Sequence, residues 1–143
     1  MNPRDFETDP DPLLDDAVWK GLAYVEATTG PGAVSEMVEI YVADLPDRIS
    51  RLKAALAWSD WLLFSRLAHD LKSNSATLGV PALRELGETL EHQSAIGSEV
   101  MPESLAPMLD EVECMMPQVV AALRHRCALF CGPDAEPMQG ASS

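Results

Sequence analysis

His69 stands between Arg66 and Lys72, at i−3 and i+3, and between Ser65 and Ser73, at i−4 and i+4. On a helix these five residues share one face. Imidazole is a nucleophile whose ordinary pKa, about 6.5, leaves it largely neutral at pH 7. Cations one turn away can meet negative charge arriving at the ring. The small serines leave room for a partner's backbone. Leu62 and Ala76, two turns to either side, add apolar surface of the kind transient protein contacts use. The chemistry that fits is acceptance of a phosphoryl group from another protein. On spacing alone, the same residues also describe an ordinary solvated helix face.

The helix itself is legible around them. With His69 at zero on a wheel, Phe64, Leu67, Leu71, Asn74 and Leu78 fall roughly 140–220° away, which makes them the core stripe and leaves His69 exposed. Ser59-Asp60 supplies N-caps and Gly79 a stop, so the helix runs to Leu78. Asp70 follows His69 but points about 100° away and reads as a solvated carboxylate.

Four further helices are needed to bury that stripe. Asp11-Pro12 opens the first, with Leu14, Val18, Leu22 and Val25 at helical spacing, and Thr28-Thr29-Gly30-Pro31-Gly32 ends it. The second runs from about Ala33 to Trp58 on Val34, Met37, Tyr41, Leu45, Ile49, Leu52 and Leu56, with a kink expected at Pro46 because the stripe continues in phase. Pro81 opens the fourth, with Leu83, Leu86 and Leu90, fading near Gly97-Ser98. The fifth starts between Pro102 and Pro107 and carries Leu105, Leu109, Val112, Met116, Val119 and Leu123, with a bend expected at Pro117. Strand signals are nearly absent. The expected fold is all-α: an antiparallel up-down four-helix bundle with an additional short N-terminal helix. Residues 1–11 read as a flexible acidic lead-in, 12–131 as the bundle and 132–143 as a disordered tail.

Composition excludes several classes. The 143 residues hold 10 Lys plus Arg against 23 Asp plus Glu, a net charge of −13. That argues against nucleic acid as partner and against an anionic membrane surface. No apolar run approaches a membrane span, and the start has neither the basic nor the apolar region of a signal peptide. Three cysteines without a CxxC pair do not make a disulfide framework, so a cytoplasmic location is expected. His125, Cys127 and Cys131 lack zinc-like spacing, and no metal is expected. His92 reads as surface. Glu36, Glu39, Asp44 and Asp47 read as a solvated acidic face, and Met108, Met115 and Met116 as core fill.

The stretch Ala68-His69-Asp70-Leu71-Lys72-Ser73-Asn74-Ser75-Ala76-Thr77-Leu78-Gly79 resembles the signature of histidine-containing phosphotransfer (Hpt) domains: A-H-x-L-K-G/S, small residues, then L-G. The likeness continues through Leu83, Leu86 and Leu90-Glu91, and upstream through Leu45-Pro46, Leu52, Ala55-Leu56 and Asp60, over roughly residues 12–128. The resemblance implies a phosphorelay intermediate in two-component signalling. His69 would take a phosphoryl group on Nε2 from the phosphoaspartate of one receiver domain and pass it to another. Lys72 would steady the phosphoryl group. Leu62, Ser65, Arg66, Ser73, Ala76, Gly79 and Glu91 would form the partner surface, with Glu91 near the histidine. Ser73 stands where many members carry Gly. Such a protein is a phosphocarrier rather than an autonomous enzyme, and no Gly-rich phosphate loop is found. It needs no cofactor of its own, the Mg²⁺ of the reaction belonging to the receiver, and a monomer is expected. The alternative is a helical interaction module that binds a receiver or kinase without transferring phosphate.

Overall fold

A computed structural model of the chain describes residues 13–96 and 102–131. It contains five helices: α1 (Asp16–Thr29), α2 (Ala33–Ala57), α3 (Trp61–Thr77), α4 (Pro81–Ile96) and α5 (Pro102–Cys131). No strand occurs among the described residues. The expected lead-in and tail, and the Asp11-Pro12 helix start, lie outside them. The helix instead begins after Asp15, whose carboxylate accepts from the Ala17 and Val18 N–H groups at 2.9 and 3.5 Å. Leu14 is buried ahead of the helix rather than on its stripe, and Trp19 joins Leu22 as the buried pair of α1.

Two neighbouring pairs run in opposite registers. Tyr41 on α2 meets Ser75 on α3, and Arg48 meets Asp70. Glu39 on α2 pairs with Arg124 on α5, and Lys53 with Glu113. On α3 and α4, the tightest pairing, His69 and Lys72 both meet Glu91. In the first two pairs numbers rise along one helix as they fall along the other. Between the helices lies a single core that includes Phe64, Leu71, Leu83, Leu90, Leu105, Leu109 and Leu123, all fully buried.

The turns explain how α3 is held. At its start, Ser59 is not a cap. It sits at φ 54° and closes α2, with Asp60 N–H bonding Ala55 O at 2.9 Å and Ser59 N–H bonding Leu56 O at 3.1 Å. This is a Schellman closure with serine in the left-handed position, at a cost of about 1 kcal/mol. Asp60 alone then caps α3 through the Leu63 N–H. At the far end Gly79 takes φ 65°, and Val80 N–H bonds Ser75 O at 2.8 Å in the same closure.

Pro46, Pro107 and Pro117 all lie inside helices that continue through them. Each is solvent-exposed, so the carbonyl left without an N–H partner can be met by water.

Candidate functional site

α3 presents His69 outward, as its wheel position requires: the side chain is 55% exposed. Its Nδ1 lies 3.0 Å from Glu91 Oε2 on α4, while Glu91 Oε1 lies 3.0 Å from Lys72 Nζ. One carboxylate therefore bridges the imidazole and the ammonium.

That bridge decides the state of the ring. The Lys72 ammonium, with a smaller contribution from His69, holds the Glu91 carboxyl below its ordinary value of 4.5 against a modest opposing effect of burial. Glu91 is thus a carboxylate at neutral pH and can only accept. His69 Nδ1 must donate, and the neutral ring then carries its free lone pair on Nε2, the nitrogen turned away from Glu91.

Because the folded carboxyl is depressed, its contribution to stability is present above the unfolded value and lost as pH falls through the folded one. A carbon-13 titration of Glu91 should show a midpoint below 4.5, rising toward that value in Lys72→Ala. A midpoint unchanged by the substitution would show that the ammonium is not the cause.

The other expected partner-surface residues divide. Leu62, Arg66, Ser73 and Ala76 are exposed along α3, and Ser65 is half-buried. Arg66 makes no ion pair among the described residues, so its charge is available to an incoming anion. Gly79 does not belong to this surface. It is buried, its carbonyl accepts from Asp15 N–H at 2.8 Å, and a Cβ on it would meet Val18 Cβ at 2.9 Å. It closes α3 against α1. Asn74 is likewise only half-buried, and Ser75 takes the core position instead. Its hydroxyl bonds the Tyr41 hydroxyl at 2.8 Å, and burial pushes Tyr41 up to about 12.

Asp70 is half-exposed and meets Arg48 at 3.9 Å rather than His69. His92 is exposed and lines an open groove with Lys72, Glu88, Thr89 and Glu91. His125 is exposed while Cys127 is buried in the core, so the two do not converge, and the Cys131 side chain lies outside what is described. Among the described residues no group of three or more His, Cys, Asp or Glu could hold a metal ion. None of the described helices is long and apolar enough to cross a membrane.

Sequence reasoning missed Gly87. It is buried on α4 against the backbone of Lys72. A glycine in mid-helix, one turn before Glu91, was the available signal.

An all-α bundle that exposes a carboxylate-held histidine beside cations defines a class: helical proteins whose chemistry is an outward-facing imidazole. The family model for the Hpt domain matches residues 36–124, more than half of the chain, and the chain belongs to that family. Neither the curated proteins nor the solved structures gave a match. Membership places the chain in two-component phosphorelay by histidine phosphotransfer, in which Hpt domains interact with receiver domains.

Proposed function

We propose that His69 is the phosphoryl acceptor and that the chain carries the group between two receiver domains. The observation that supports this best is the Glu91 bridge, which turns a lone pair outward on an exposed ring. His69 Nε2 attacks the phosphorus of an aspartyl phosphate. The N–P bond forms, the acyl O–P bond breaks, and the aspartate leaves as carboxylate. The Nδ1 proton stays in place, so the ring becomes cationic as it is phosphorylated. Glu91 faces that charge from the other side, as a buried carboxylate does for a catalytic imidazolium. Transfer onward reverses each step on a second receiver. The Mg²⁺ that accompanies aspartate phosphorylation belongs to the receiver.

The partner surface is the exposed strip of α3 from Leu62 through Arg66 and His69 to Ser73 and Ala76. Its apolar ends and cationic centre suit a receiver's acidic phosphorylation pocket.

Lys72 and Arg66 meet the phosphoryl oxygens. Lys72→Ala is expected to slow uptake from a phosphorylated receiver by about 10- to 100-fold while leaving measurable transfer, because it removes an electrostatic contribution and not the nucleophile. An unchanged rate would reduce Lys72 to a surface charge that serves only to hold Glu91. The assay that tests the whole reading is phosphate uptake from a phosphorylated receiver, with the modified residue mapped. No uptake from several competent receivers by the folded protein would favour the interaction module instead.

A further inference from the structure

Gly87 lies inside α4, where glycine weakens a helix, and it has no positive φ that would require it. Its reason is the neighbouring helix. A Cβ on Gly87 would meet Lys72 N at 2.8 Å, Lys72 Cα at 3.0 Å and Ala68 O at 3.1 Å. These are backbone atoms and cannot swing aside. They also mark the two ends of one α-helical hydrogen bond, from Lys72 N–H to Ala68 O, and the turn it closes contains His69. Ala68 is itself fully buried, so this stretch of α3 backbone is closed off from solvent at the contact. Glu91 follows Gly87 by four residues and so lies on the same face of α4. From there its two oxygens reach His69 and Lys72 at 3.0 Å each. A single carboxylate spans both partners only while α4 stays this close to the Ala68–Lys72 turn.

We propose that Gly87 is a positioning residue of the site. By letting α4 lie against the turn that carries His69, it sets the reach of Glu91, and through Glu91 it fixes the ring's tautomer and the place of the Lys72 ammonium. Its consequence for transfer rests on the phosphoacceptor reading above, whereas its consequence for Glu91 does not.

Gly87→Ala tests this in the full chain with three readouts: the Glu91 carbon-13 titration, the nitrogen-15 shifts of the His69 ring, and phosphate uptake from a phosphorylated receiver. The added methyl should part the helices. The Glu91 midpoint should rise toward the ordinary glutamate value, and the ring should become a mixture of Nδ1–H and Nε2–H forms. Uptake should slow by about 10- to 100-fold, the scale on which small misplacements act. Glu91→Asp withdraws the carboxylate by one methylene and leaves the helices in contact. It should reproduce the ring mixture and the slower uptake. The double variant should be little slower than either alone, since both act through the same carboxylate.

If Gly87→Ala does not fold, Glu91→Asp decides: wild-type ring shifts and uptake there would show that reach does not matter and would overturn the proposal. A folded Gly87→Ala with the wild-type Glu91 midpoint would overturn it as well. If the wild-type chain takes phosphate from no receiver, the phosphoacceptor reading falls, and the titration and ring readouts still decide for or against Gly87.

Discussion

His69→Gln is expected to abolish phosphate uptake and to leave the fold standing. The ring is 55% exposed, and its one hydrogen-bonded partner among the described residues is the Glu91 carboxylate. A glutamine amide can donate to the same carboxylate, so no buried group loses its partner and stability should change by no more than about 0.5 kcal/mol. The amide nitrogen, however, has its lone pair delocalised into the carbonyl and cannot attack phosphorus. The expected result is full loss of radiolabel uptake from a phosphorylated receiver, with an unfolding curve that overlays the wild type. In the wild-type chain the label should be acid-labile and base-stable, as a phosphoramidate is. Label retained in His69→Gln would sink the assignment. The described chain also exposes His92 and His125. Mapping the residual label to His92, beside Lys72 and Glu91, would move the acceptor to α4.

The exposure of His69 was legible because it needs only the helical period and the placement of Phe64, Leu67, Leu71 and Leu78. What the period could not supply is the direction from which the core is covered. Ala68 and Ser75 are buried and Asn74 is not, so the buried arc of α3 is turned by roughly 30° from the one the leucines alone suggest. Ala68 lies at the contact with Gly87, and Lys72 and His69 meet Glu91 from the same helix. Polarity also misled. A buried Ser75 is acceptable because the Tyr41 hydroxyl satisfies it, a fact held 34 positions away. Glu91 was legible through the family resemblance, whereas its double contact depends on how two helices pack. Gly79 illustrates the limit of a signature: the motif marks the residue without saying whether it faces a partner or α1. In the sequence Asp11-Pro12 reads as the start of the first helix, whereas Asp15, capping through its carboxylate and tied by its N–H to Gly79 O at the far end of α3, marks where this helix begins.

Trp19→Ala should be the most destabilising of the substitutions considered, although α1 lies outside residues 36–124 that match the family. Trp19 is 2% exposed and packs in the common core. Its Nε1 donates to Leu78 O at 2.9 Å, a buried bond to the C-cap of α3. The Arg126 guanidinium lies 5.9 Å from the ring centre and also pairs with Asp16 at 2.9 Å, which ties α5 to the same corner. Truncation to alanine removes a large buried ring and orphans the Leu78 carbonyl, so a loss of about 3–5 kcal/mol is expected from denaturant unfolding. Against a typical total of about 5–15 kcal/mol, this could leave the chain partly unfolded at room temperature. Trp19→Phe keeps most of the packing and should cost about 1–3 kcal/mol, chiefly for the unpaired carbonyl. A loss below about 0.5 kcal/mol in Trp19→Ala would show that α1 is an appendage. Function should respond differently. Leu78 lies nine residues beyond His69, about 13 Å along the helix. The bridge from Glu91 to His69 and Lys72 is made by α3 and α4 alone. Under conditions where Trp19→Ala remains folded, phosphate uptake should therefore match the wild type, which would assign α1 to holding the bundle and α4 to arming the histidine.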